Sequence, residues 1–183
     1  RQMCIRDRVN SELVRPEYRK DLLQNYFYTE TGYNLVNDLL NRLALGTANG
    51  LESRGYRSIF FPATYGGDTW ESIKQWVPSR WGLFSQRHAA VRVGLGEFGL
   101  NNVVVTPQYG PRIRFNSVIT EAELTPSPLI KKKVCLGEKC SLCLKKCPGA
   151  ISLRSGFDPE VVWYNTPAQT NIPACEELRP KHY

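Results

Sequence analysis

The chain reads as an α+β protein, and three observations predict it. Leu35, Leu39, Leu40, Leu43 and Leu51 recur at helical spacing within residues 34–53. Short apolar or alternating runs at 58–62, 103–106 and 112–120 have the length and pattern of strands. Behind them, at 135–148, the stretch C-L-G-E-K-C-S-L-C-L-K-K-C-P places four cysteines within thirteen residues, which is the composition of a ligand loop.

Taken in order, residues 11–25 are polar and predict partial helix. In the leucine helix, Gly46 and Gly50 weaken the helix or allow close packing, and Arg54-Gly55-Tyr56 ends it. The run S-I-F-F-P at 58–62 predicts a short buried strand, followed by a loop at 64–68. Trp70, Trp76 and Trp81 either wall a pocket or cover the core as surface aromatics. Residues 85–93 predict a helix capped by Ser85 and carrying Arg87 and His88.

Gly94-Leu95-Gly96-Glu97-Phe98-Gly99 is a literal GxGxxG. A dinucleotide site needs a strand before that motif and a helix after it. Here a helix precedes and a strand follows, so dinucleotide binding is rejected. Gly94, Gly96 and Gly99 instead predict close backbone approach to another surface, either a cofactor or a packed helix. Residues 103–120 predict strand, turn, strand, with Gly110-Pro111 in the turn. Ile113, Phe115 and Val118 are expected on one apolar face, with Arg112 and Arg114 on the other. Two prolines at 124–128 mark a linker, and 150–153 predicts a short strand.

Cysteine chemistry dominates the stretch at 135–148. Thiolate is the ligand that soft iron prefers, and a cubane cluster needs several thiolates converging on a small volume. Cys140, Cys143 and Cys147-Pro148 keep the C-x2-C-x3-C-P spacing of bacterial ferredoxins, whereas Cys135 lies further upstream than that pattern has it. A Cys4 zinc knuckle, disulfides and buried free thiols are the competing readings. Zinc motifs usually bring two separated close pairs, and no second close pair exists here.

With 183 residues and 42% apolar composition, the chain has length for a moderate domain plus a small one. The formal charge of +7 suits an anionic partner, although Lys131, Lys132 and Lys133 form only a short run. That run reads as a solvated linker, with attraction to an acidic electron donor or to RNA as the functional alternative. No stretch of eighteen apolar residues appears, so no transmembrane helix is expected. Reduced thiols imply a cytoplasmic setting. The first eight residues, RQMCIRDR, connect to no downstream pattern, are read as artefactual or non-native, and Cys4 is given no role.

Several motifs together resemble one family. They are Arg87-His88-Ala89-Ala90, then Gly94 through Asn102, then Thr106-Pro107-Gln108-Tyr109-Gly110-Pro111-Arg112, then the cysteine loop. In that order they are similar to the epoxyqueuosine reductase and reductive dehalogenase superfamily, over roughly residues 35–151. The resemblance implies a nitroreductase-like α/β domain, here 11–124, followed by a ferredoxin-type module from 125 to 183. It implies two [4Fe–4S] clusters in the full-length protein and, in cobalamin-using relatives, a corrinoid between the domains. Cys135, Cys140 and Cys143 would then hold the first cluster, and Cys147 with Cys175 the second. A further cysteine loop is expected beyond Tyr183. Gly94, Gly96, Gly99 and Asn101 would face the corrin or its empty counterpart, and Arg87, His88, Tyr109 and Arg112 are the catalytic candidates.

The same resemblance implies an electron-transferring reductase fed by a ferredoxin- or flavodoxin-type donor, with a tRNA or a small molecule as substrate. One departure matters. Members that reduce epoxyqueuosine carry an Asp where this chain has Arg80, and no acidic residue lies between Glu71 and Glu97. That points to a broader iron–sulfur branch. A non-catalytic [4Fe–4S] carrier and a zinc-dependent RNA-binding module are the alternatives.

Overall fold

The computed structural model describes residues 2–8, 26–64, 84–131, 133–147, 149–155 and 166–177. The helix expected within 11–25, most of the loop at 64–68, the three tryptophans, Arg80, Lys132 and Pro148 fall outside them, in whole or in part. The chain is α+β. Strand pairing among the described residues is antiparallel throughout, and helices lie against the main sheet.

That sheet has three strands in the order β1 (Gln2–Arg8), β5 (Ile113–Thr120), β2 (Ser58–Phe61). The central strand pairs with Gln2–Arg8 along its whole length and sets Phe60 opposite Val118. Gln2–Arg8, from the N-terminal stretch that offered no downstream connection in the sequence, therefore lies on the sheet as a strand. A π-helical turn, Tyr28–Asn34, leads into α1 (Leu35–Glu52), which covers one face. Helix α2 (Gln86–Arg92) covers the other.

The β5 strand shows why two helices are needed. Phe115 and Ile113 pack with Ala90, Phe98 and Val104 on the α2 side. Val118, on the opposite parity, packs with Ala44 and Ala48 of α1. The expectation of one apolar face shared by Ile113, Phe115 and Val118 is thus corrected: β5 is central, and both faces are covered. Polar residues follow the same alternation. Arg114 and Asn116 reach α1, donating to Asn37 and Asn41, while the Ser117 hydroxyl donates to Gln86 of α2 at 2.7 Å. Arg114 also lies over the Tyr33 ring at 4.1 Å, a cation–π contact.

Helix α1 occupies the predicted span, but the leucine stripe is not its buried face. Leu40 is fully buried, together with Val36, Ala44 and Ala48, whereas Leu35, Leu39 and Leu43 are 50%, 42% and 55% exposed. Small alanines let the helix lie close to β5, and this turns the neighbouring leucines outward. Gly46 and Gly50 have no neighbour close enough to demand a glycine. The helix closes at Gly55, whose φ of 88° is a left-handed conformation, with Tyr56 N–H donating to the Leu51 carbonyl. The β2 strand forms where expected but lies at a sheet edge, and Ile59 is exposed. Its start is clamped to the end of β5 by Arg57 and Glu121, at 2.5 and 3.0 Å. Those hydrogen bonds hold the Glu121 carboxyl below its ordinary pKa.

This packing separates two leucines one position apart. Leu40→Ala is expected to lower unfolding stability by about 2–5 kcal/mol, and Leu39→Ala by no more than about 0.5 kcal/mol. Urea unfolding followed by circular dichroism checks both. Equal losses would place the wrong face of α1 on the sheet.

Candidate iron–sulfur site

The site is built by the loop that follows α2. Ser85 caps that helix, its hydroxyl accepting from the His88 N–H at 3.4 Å and lying 2.6 Å from His88 Nδ1. His88 packs edge-on against Phe98. The glycine-rich segment then runs from the helix end into two short strands, β3 (Glu97–Phe98) and β4 (Val104–Val105). Helix before and strand after is the reverse of a dinucleotide fold, as the sequence implied.

Each glycine of the motif answers a close approach. Gly94 has φ 73°, and a Cβ there would sit 2.1 Å from the Pro128 carbonyl oxygen. At Gly96 a Cβ would lie 2.7 Å from both a Val104 methyl and the Val105 carbonyl oxygen. The surfaces that approach are therefore the linker around Pro128 and strand β4, where a cofactor or a helix had been the alternatives. Glu97, inside the same motif, accepts from the backbone N–H groups of Val134 and Cys135, each at 2.5 Å. The segment entering the cysteine loop is thus held at Gly94 and at Glu97.

Asn102 holds the segment that leaves it. This residue is buried and left-handed, with φ 62°. Its Nδ2 donates to the Ala168 carbonyl at 2.7 Å, and its Oδ1 accepts from the Ala168 N–H at 2.9 Å. The side chain so imitates a strand neighbour for β7 (Ala168–Thr170), which pairs with β6 (Ile151–Leu153). Arg87 supports this loop from α2, donating from Nη1 to the Asn102 carbonyl at 3.0 Å. Although Arg87 is exposed as a residue, desolvation around its head group lowers its pKa from the ordinary arginine value. A guanidinium stays protonated regardless.

Between these ties lies the cysteine loop. Left-handed residues at Gly137 and Ser141, with Gly149 also at positive φ, fold it into tight turns around a 3-10 turn, Gly137–Lys139, and the short helix α3 (Leu142–Lys146). Cys135, Cys140, Cys143 and Cys147 are half-buried free thiols. Cys175 is an exposed free thiol on α4 (Ile172–Glu177), whose first turn is held by Asn171 accepting from Ala174 N–H. A recess of about 400 Å³ brings Cys143 and Cys147 together with Lys146, Leu142, Ile151 and Asn101.

Asn101 is thus the glycine-loop residue that lines the recess with Cys143 and Cys147. None of Arg87, His88, Tyr109 and Arg112 lines the recess. Tyr109 and Arg112 sit in the turn before β5, where the Tyr109 N–H donates to Thr106 and Arg112 is exposed. Among the described residues, no three His, Cys, Asp or Glu side chains converge closely enough to grip a metal ion. Thiolate sets commonly close only around their ion, so the test of fit is the donor set itself. Four accessible thiols outside any disulfide, on a loop turned by left-handed residues, are the soft donors that iron takes. Sequence reasoning missed Glu97 and Asn102 as organisers. Asparagine tolerates the left-handed region better than other side chains, which was the available signal for Asn102.

No protein-family model matches the chain. Over 76 residues it is 44% identical to the tetrachloroethene reductive dehalogenases of Desulfitobacterium hafniense and Dehalobacter restrictus, a match of 40% of this chain and 13% of theirs. The corresponding enzyme of Sulfurospirillum multivorans is 33% identical over 73 residues, 39% of this chain and 15% of its own. A solved structure of epoxyqueuosine reductase from Streptococcus thermophilus aligns with 62% of this chain and 25% of its own, at 24% identity and a TM-score of 0.41. The chain therefore resembles the reductase class that its motifs pointed to. Within that class, the matched sequences are reductive dehalogenases, and the chain spans less than a sixth of their length. Among the described residues, no helix is long and apolar enough to cross a membrane.

Asn102 can be tested by itself. Asn102→Gly keeps the backbone conformation and loses the hydrogen bonds, at a cost of about 1–3 kcal/mol. Asn102→Ala loses both and is expected to be about 1 kcal/mol worse. Amide exchange at Ala168 reads both, and full protection in either variant would remove Asn102 from this role.

Proposed function

We propose that the chain is the iron–sulfur portion of a reductase related to epoxyqueuosine reductase and the reductive dehalogenases. The observation that carries this reading is the shared recess. Asn101 of the glycine-rich loop lines it together with Cys143 and Cys147, so a cluster loop adjoins the loop proposed to face a cofactor. On this reading residues 11–124 form a nitroreductase-like domain and 125–183 a ferredoxin-type module. Cys135, Cys140 and Cys143 hold one [4Fe–4S] cluster, and Cys147 and Cys175 contribute to a second. Such clusters accept and return one electron at a time.

The chain's own residues then have distinct tasks. Lys146 in the recess, with exposed Lys139 and Lys145, favours the reduced, more negative state of the site. The glycine-rich loop, packed at Gly94, Gly96 and Gly99 against its own chain, would carry Asn101 to a corrinoid or a substrate beside the electron source. The donor would be a ferredoxin- or flavodoxin-type protein in a cytoplasmic setting. The names of the matched relatives make a small organic molecule the first substrate class to test, with a tRNA the second.

One observation favours a second reading, a non-catalytic electron carrier. Arg87 and His88 are both engaged in structural bonds, and no catalytic candidate lines the recess.

Anaerobic reconstitution with ferrous salt and sulfide is expected to give a brown protein carrying roughly four iron atoms per cluster. Cys143→Ser should lose most of that iron. Adding cobalamin then separates the two readings: a spectral change on mixing supports the reductase, and its absence favours the carrier. Zinc bound without iron or sulfide would overturn both.

A further inference from the structure

The glycine-rich motif contains one acidic residue, and its carboxylate is committed to the cysteine loop. Glu97 Oε1 accepts from both the Val134 and the Cys135 N–H. These two residues carry no helix or strand that would satisfy their amides locally. Glu97 itself is fixed, because β3 pairs it with Val105 and the next residue, Phe98, is buried in the core with Ala90 and Phe115. The neighbouring Gly94 admits the close approach of the Pro128 carbonyl, in the linker that leads to Val134.

We infer that Glu97 is a positioning residue for Cys135: the glycine-rich loop, through this carboxylate, fixes the first cysteine of the loop and sets a negative charge beside it. The inference rests on the reading of Cys135 as a cluster ligand. Cys135 lies ahead of the 3-10 turn Gly137–Lys139 that leads to Cys140, and its own amide is held by Glu97. The inference also makes the first ligand sensitive to whatever displaces the glycine-rich loop. Charge-assisted hydrogen bonds from two adjacent amides are stronger than neutral ones, and a nearby negative charge disfavours electron uptake.

The test separates grip from charge. Glu97→Gln keeps an acceptor oxygen and removes the charge; Glu97→Ala removes both. In the metal-free full chain, amide exchange at Val134 and Cys135 should accelerate about tenfold or more in Glu97→Ala, and by less than about threefold in Glu97→Gln. After reconstitution, Glu97→Ala should hold less iron than the unaltered chain. Glu97→Gln should hold as much and be reduced at a more positive potential. Should Glu97→Ala fail to fold, Glu97→Asp, whose shorter arm withdraws the carboxylate, replaces it with the same expectation. Unchanged exchange in the Ala or Asp variant would overturn the grip, and an unchanged potential in the Gln variant would overturn the role of its charge. If the unaltered chain takes up no iron while exchange still accelerates in the variant, the cluster reading falls and the grip stands.

Discussion

One loop holds the cysteine segment at both ends. Between Gly94 and Asn102 the chain receives the Pro128 carbonyl, binds the amides of Val134 and Cys135, and pairs with Ala168 through an asparagine side chain. The cysteine loop has little apolar surface of its own to bury; Leu136 and Leu142 are exposed. Its position is therefore set by hydrogen bonds to a neighbour and not by a core. Buried, charge-assisted and bidentate contacts are the kind that can carry such a task, because leaving them unmade is costly.

The loop can serve this way because it is itself anchored. Helix α2 ends at Arg92, just before the glycine-rich segment, Arg87 supports Asn102 from that helix, and Phe98 and Val104 enter the cluster around Ala90 and Phe115. That cluster rests on β5, whose other face is closed by α1 through Ala44, Ala48 and Val118. From α1 to the cysteines the line of support is continuous: helix, sheet, helix, loop, ligand segment.

Much of this was legible in the sequence, and the misses have physical causes. The span of α1 followed from its periodicity, but its buried face did not, because hydropathy favours leucine over the alanines that permit close approach to β5. The strand 113–120 was plain, yet its two-sided burial was hidden: Asn116 and Ser117 look like solvent-facing residues until Asn41 and Gln86 are found opposite them. The reversed context of GxGxxG, helix before and strand after, was read correctly. Its real neighbours, a linker carbonyl and a strand, could not be inferred from spacing. The hairpin of β6 and β7 was half visible, since three-residue strands carry almost no periodic signal. Within the site, the cysteines declared themselves. Glu97 and Asn102 did not, because a residue that acts through backbone groups far along the chain leaves no local pattern.

The most direct measurement is Mössbauer spectroscopy of the full chain reconstituted with iron-57, before and after addition of one reducing equivalent. The expected spectrum is that of a cubane [4Fe–4S] cluster, and it changes on addition of the reducing equivalent. A spectrum of mononuclear or adventitious ferric iron alone, unaltered by the reductant, would contradict it.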